Sequence, residues 1–239
     1  MQYELKTPCT AQDLAPLKAG DTVLLSGVVY TARDQAHKRM IEALDRGEAL
    51  PFDLEGSAIY YVGPTPERPG EIIGSAGPTT SGRMDAMSPR LLDLGNKIMI
   101  GKGKRDAAVK EAVVRNGAVY LAALGGAGAL MAQSVKTLEV IAWPDLGCEA
   151  VRRLTVEKMP LTVILDAHGG DLYLSGPEAY RANQESGSWE GCVPRRSARF
   201  TRFRASFPSK MAKLCRRNLV CFNKLSLDCL HHPPECGIL

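Results

Sequence analysis

Four polar segments carry the residues whose types and spacing could do chemistry. They are Arg33-Asp34-Gln35-Ala36-His37, Gly77-Pro78-Thr79-Thr80-Ser81-Gly82-Arg83-Met84-Asp85, Gly101-Lys102-Gly103-Lys104-Arg105 and Leu124-Gly125-Gly126-Ala127-Gly128. Arg33, Arg83 and Lys102 put a cation on three separate segments. An Arg fork grips a carboxylate through two parallel hydrogen bonds, while Lys acts as a point charge. A dianion with two carboxylates calls for about that equipment. Thr79 and Thr80 lie in a loop punctuated by Gly and Pro, where a hydroxyl can be held rigidly against a ligand. Gly125, Gly126 and Gly128, ahead of a helix, could present backbone N–H groups to an anion.

Taken singly, each segment has a plainer reading. An Arg-Asp pair at a helix start serves as a cap or surface ion pair, and Gly-Lys-Gly-Lys-Arg as a solvated turn. His37 reads equally as a structural hydrogen-bonder. Gly-Gly-Ala-Gly is not a dinucleotide fingerprint, because Met131 occupies the last glycine position, and it has no Gly-Lys-Ser/Thr ending of a phosphate loop. It reads as a tight strand-to-helix turn.

The elements that must position these segments alternate between strand and helix. Thr22–Thr31 is rich in β-branched residues and is predicted as a strand. Asp34 to Arg46 has apolar residues at helical spacing and a stop at Gly47. Ala58–Val62 is a buried strand, followed by a proline-rich connection from Gly63 to Gly70. A helix over Met84–Leu94, a strand over Lys97–Ile100, a helix over Arg105–Arg115 and a strand over Ala118–Leu124 come next. A short helix over Ala129–Ser134 precedes predicted strands at Thr137–Ala142, Val151–Glu157, Leu161–Leu165 and Leu172–Leu174. The last two are expected to form a hairpin through Ala167-His168-Gly169-Gly170. This is an α/β domain with a mixed sheet.

Composition divides the 239 residues in two. From Asn183 onward ten Lys/Arg stand against four Asp/Glu, a balance of +6, so the chain's net +4 leaves residues 1–182 at −2. Five of the seven cysteines, Cys192, Cys215, Cys221, Cys229 and Cys236, lie there too. An odd cysteine count without a secretory signal argues against a disulfide framework. No apolar run approaches the ~20 residues that span a bilayer, and the cytoplasm is the expected location. Beyond Gln184 periodicity dissolves. Residues 183–239 read as a basic, Cys-rich extension, either disordered or a reading-frame artefact, and the second reading is favoured. A basic tail contacting nucleic acid is the alternative of a different class, but it has neither aromatic interleaving nor finger spacing. The spacing of the tail cysteines around His231 and His232 fits no zinc or cluster template.

The ordered set Arg-Asp-x-Ala-His, Gly-Pro-Thr-Thr-Ser-Gly-Arg-Met-Asp, Gly-Lys-Gly-x-Arg and Tyr-Leu-Ala-Ala-Leu-Gly-Gly resembles the β-subunit, or C-terminal domain, of class I fumarate hydratases and L-tartrate dehydratases. The resemblance covers residues 1–182, and Asp145-Leu-Gly-Cys-Glu-Ala150 resembles a further segment of that family. It implies a swivelling β/β/α domain followed by the irregular extension. It also implies a hydro-lyase interconverting fumarate and (S)-malate, with tartrate as the alternative substrate.

By the same resemblance Thr79 matches the base that removes the C3 proton. Arg33, Arg83 and Lys102 match residues that hold the carboxylates and stabilise the aci-carboxylate. Asp34, His37 and Asp85 are candidates for positioning those cations. The implied cofactor is a [4Fe–4S] cluster held by three cysteines of an α-subunit, paired with this chain as αβ or α2β2. No metal ligands are expected here, since Cys9 and Cys148 are too few and too far apart in sequence to hold a cluster.

Overall fold

The computed structural model describes residues 1–185. The readings of the basic tail, its cysteines and its nucleic-acid alternative fall from residue 186 onward, outside the described residues. Among the described residues no helix is long and apolar enough to cross a membrane.

The chain opens with β1 (Gln2–Lys6), α1 (Ala11–Leu14), β2 (Thr22–Thr31), α2 (Asp34–Asp45) and β3 (Ala58–Tyr60). It continues through α3 (Ser88–Asp93), β4 (Ile98–Gly101), α4 (Ala107–Arg115), β5 (Val119–Ala122) and α5 (Gly128–Gln133). β6 (Val135–Ala142), β7 (Val151–Leu165) and α6 (Leu172–Glu185) complete it. The sheet order is β1-β2-β3-β4-β5-β7-β6, and β2 also pairs with β7, so the sheet closes on itself. β1 through β5 run parallel. β7 runs antiparallel to β2, β5 and β6. The architecture is α/β with a mixed, barrel-like sheet, consistent with a β/β/α domain.

Both faces of the central strands are buried, which is why they read as nearly continuous apolar runs. Side chains alternate between the faces with the strand period of two. Ala58, Tyr60, Ile98, Ile100, Val119 and Leu121 fill the inside of the closed sheet with Val23, Leu25, Leu161 and Val163. Ile59, Tyr61, Met99 and Tyr120 face outward under α2, α3 and α4, against Met40, Leu91, Val109 and Val113. Asp106 caps α4 by accepting from the Val109 N–H at 2.9 Å, which satisfies one of the free donors at the helix start.

Three expectations need correction. The two strands expected at Val151–Glu157 and Leu161–Leu165 are one strand. The Lys158-Met-Pro160 stretch that seemed to separate them is absorbed as an irregularity, with Lys158 at φ 46 and a register shift against β2 between Leu25 and Gly27. Leu172–Leu174 is not a strand but the start of α6. The Asp171 side chain accepts from the Tyr173 N–H at 2.8 Å, a helix-initiating bond that strand periodicity does not register. Only an isolated Leu165–Asp171 bridge remains of the expected hairpin. The helix expected over Met84–Leu94 is a 3₁₀ turn at Ser81–Met84 followed by α3, with Pro89 in the first turn of α3.

Candidate active site

All four polar segments gather at the carboxyl ends of the parallel strands. Arg33 follows β2, Lys102 follows β4 and Leu124–Gly128 follows β5. The loop holding Thr79 is stitched to the end of β3 by a Val62–Pro78 bridge and by the Thr79 N–H donating to the Tyr61 carbonyl at 2.8 Å. In α/β sheets this is the end at which ligands are bound.

Asp34 joins the two arginines. One carboxylate oxygen lies 3.1 Å from Arg33 Nε and the other 3.1 Å from Arg83 Nε. Arg83 then donates from Nη2 to the Thr79 hydroxyl. Arg33 also faces Glu149, with Nη2 3.4 Å from Oε1, and the other Glu149 oxygen accepts from the Gln35 N–H at 2.8 Å. The Arg33 side chain crosses directly over Gly63, where an added Cβ would fall 2.8 Å from Nη1. Arg33 is thus held by two carboxylates and by close packing over Gly63, with its side chain 22% exposed. Arg83 remains 47% exposed at its side chain. Thr79, Arg83, Asp34, Arg33 and Glu149 form one polar chain around the mouth of the sheet.

Lys102 enters from the neighbouring strand. Thr80 and Lys102 form a parallel bridge, the Ser81 N–H donates to the Lys102 carbonyl at 2.9 Å, and the Lys102 N–H donates to Ser81 Oγ at 3.1 Å. Its side chain is exposed, and its ammonium is unpaired among the described residues. An unneutralised cation beside two carboxylate-linked arginines leaves the mouth ready for an anion. Thr80 is exposed beside it.

The supporting candidates separate. Asp34 bridges Arg33 and Arg83. His37 lies fully buried behind Arg33, with Nδ1 3.1 Å from the Arg33 carbonyl and its ring edge-on to Tyr61 at 5.2 Å. Burial holds its pKa down at about 4, so the ring is neutral near pH 7 and Nδ1 is the donor to that carbonyl. Its Nε2 is buried and has no hydrogen-bond partner among the described residues. Asp85 pairs with Arg105, and among the described residues no ion pair joins it to Arg33, Arg83 or Lys102. Gly128 approaches too closely for a side chain, since a Cβ would lie 2.3 Å from Ser75 Oγ and 3.0 Å from the Gly77 nitrogen. Gly128 is therefore a packed turn position, whereas Gly125 and Gly126 have room around them.

Glu149 and Arg105 were not singled out as functional from the sequence. Glu149 lies within the Asp145–Ala150 segment and Arg105 closes the Gly-Lys-Gly-Lys-Arg run, but nothing local in the sequence indicates their partners.

A family model described as "Fumarase C-terminus" matches residues 1–176, and the chain belongs to that family. Among curated proteins it is 42% identical over 170 residues to the putative L(+)-tartrate dehydratase subunit beta of Methanocaldococcus jannaschii, covering 69% of this chain and 87% of that one. It is 38% identical over 181 residues to fumarate hydratase 2 of Leishmania major, covering 72% of this chain and 31% of that one. The L(+)-tartrate dehydratase subunit beta of Escherichia coli is 32% identical over 190 residues, covering 77% of this chain and 93% of that one. The chain thus spans about a third of the fumarate hydratase it matches and most of the length of these beta subunits.

Proposed function

We propose that this chain supplies the proton-removing and carboxylate-binding half of a hydro-lyase that interconverts fumarate and (S)-malate. The observation that carries the reading is the Thr79 hydroxyl held by the Arg83 guanidinium at a mouth also lined by Arg33 and Lys102. In the dehydration direction Thr79 takes the C3 proton of malate. The electron pair left behind moves into the adjacent carboxylate as the aci form, and collapses to the double bond as the C2 hydroxyl departs. A threonine hydroxyl is a very weak acid, so it serves as a base only where cations favour its deprotonated form. Arg83 is in contact and Lys102 stands on the adjoining strand. The same fixed cations stabilise charge as it grows on the aci-carboxylate, where a preorganised site is most effective.

The [4Fe–4S] cluster implied by the family finds no fit in this part of the chain. Among the described residues no three His, Cys, Asp or Glu side chains gather to hold a metal ion, Cys9 is buried, and Cys148 lies alone on an exposed turn. We assign the cluster, and the departure of the hydroxyl, to a partner α-subunit in an αβ or α2β2 assembly in the cytoplasm. The family relation of the chain to proteins named as beta subunits supports that division.

L-tartrate dehydration is the second reading. It is favoured by the near-complete coverage of the two tartrate dehydratase beta subunits, at 87% and 93% of their lengths. Turnover of malate and of L-tartrate by the chain co-expressed with its α-subunit, reconstituted anaerobically, separates the two. Conversion of malate alone supports the first reading, and conversion of tartrate alone replaces it with the second. Inertness toward both overturns each.

A further inference from the structure

Behind the mouth lies a buried cation that the chemistry above does not use. The Arg105 side chain is 0% exposed. Its Nε donates to Asp85 Oδ1 at 2.5 Å, Nη2 to Ser88 Oγ at 2.8 Å, and Nη1 approaches the Met99 sulfur at 3.3 Å. The guanidinium lies 5.4 Å from the Tyr61 ring centroid and 5.1 Å from that of Tyr120. The other Asp85 oxygen accepts from the Asp106 N–H at 2.7 Å. The Tyr120 hydroxyl bridges Ser81 Oγ at 2.9 Å and the Gly103 carbonyl at 3.0 Å.

These contacts join two loops. Asp85 ends the loop that carries Thr79 and Arg83, and Arg105 and Asp106 end the loop that carries Lys102. Taking a guanidinium and a carboxylate out of water costs several kcal/mol per ion, and apolar residues of similar volume often stabilise a fold as well. What an apolar pair lacks is direction. Arg105 has three N–H groups aimed at three different elements and a plane placed against two tyrosine rings, a set of constraints that a lysine ammonium does not reproduce. Ser81 is the neighbouring knot, tied to Lys102 and to Tyr120 at once.

We infer that Arg105 is a positioning residue whose pairing with Asp85 fixes the separation of the Thr79–Arg83 loop from the Lys102 loop, and so the span across which a substrate's two carboxylates are gripped. The substrate half of this inference rests on the hydro-lyase reading, whereas the clamping of one loop to the other stands on the geometry alone. Asp85 acts through Arg105, and neither reaches the reacting atoms.

Two variants of the full chain test it: Arg105→Lys, and Arg105→Met combined with Asp85→Asn, whose amide oxygen can still accept from the Asp106 N–H. Amide hydrogen exchange is followed by peptide, and kcat and KM are measured in the assembled pair. The expected result is that exchange in 79–85 and 101–106 accelerates about tenfold or more in both variants, while β2 and β7 keep their protection. In the assembled pair kcat is expected to fall about 100-fold, as displacement of reacting groups by about an ångström does. Unchanged exchange in both loops overturns the clamp whatever the activity. Loosened loops with unchanged kcat, in a pair whose wild type is active, overturn the positioning role. If the wild-type pair turns over neither malate nor tartrate, the hydro-lyase reading fails by itself, and the exchange measurement alone judges the clamp.

Discussion

Arg83 donates from Nη2 to the hydroxyl of Thr79, four residues earlier on the same loop, while its Nε faces Asp34 on another element. One guanidinium therefore addresses the proposed base and the carboxylate that also restrains Arg33. The planar fork makes this possible, because the Nε and Nη edges of a guanidinium diverge in fixed directions.

Arg83→Lys keeps the charge and loses that double address. A lysine ammonium reaching Thr79 leaves Asp34 without its second partner. The expected outcome is a loss of about 100-fold in kcat/KM, the scale found on removing one preorganised donor to developing charge, with kcat and KM both affected. Steady-state kinetics of the assembled pair check it, and wild-type values for the variant would make Arg83 a structural residue.

Gly101 sits where β4 passes beneath Ser81. A Cβ there would lie 2.0 Å from Ser81 Oγ and 3.0 Å from a Tyr61 ring carbon, so Gly101→Ala displaces the hydroxyl to which Lys102 N–H and Tyr120 are bonded. Overpacking of this kind costs about 1–3 kcal/mol, and chemical denaturation should show it. Gly125→Ala is the control, since its Cβ would meet only the Lys102 Cδ at 3.9 Å and should change stability by no more than about 0.5 kcal/mol. Equal tolerance at both positions would contradict the packing described.

His37 makes a prediction about pH. Its folded pKa of about 4 lies below the ordinary value of 6.5, so the unfolded chain takes up a proton before the folded one does. Stability is undiminished by this group above pH 6.5 and is lost as pH falls from there toward 4. The loss between pH 7 and pH 5 amounts to about 2 kcal/mol. His37→Asn can retain the donor to the Arg33 carbonyl and removes the titration, so its stability should fall less steeply over that interval. Urea midpoints at the two pH values decide, and parallel slopes for wild type and variant would show that His37 does not titrate as described.

Much of the scaffold is readable from local pattern. The β-branched run Thr22–Thr31, the helical spacing after Asp34 and the capped helix ending at Arg115 each declare themselves within a dozen residues, and the structure has β2, α2 and α4 there. β1 and α1 escaped because five and four residues carry too little periodicity to register. β7 was divided because Lys158-Met159-Pro160 looks like an ending, yet pairing with β2 on one side and with β6 and β5 on the other carries the strand through it.

The site divides along the same line. Arg33, Thr79, Arg83 and Lys102 stand out because polar residues interrupt apolar elements at their ends. The partners that hold them do not: Glu149 reaches Arg33 and the Gln35 N–H from a distant turn, and Arg105 reaches Asp85 across 20 residues. Strand pairing brings them together: β7 beside β2 for Glu149 and Arg33, and β4 beside β3 for Arg105 and Asp85.

The most direct test is Thr79→Ala in the full chain, assembled with the proposed cluster-bearing α-subunit and handled anaerobically, with malate turnover and malate affinity measured side by side. The account predicts that turnover falls on the order of 10³-fold, the scale of a lost general base, while affinity stays close to wild type because Arg33, Arg83 and Lys102 still hold the carboxylates. Turnover at the wild-type rate would remove Thr79 from the mechanism and contradict the central claim.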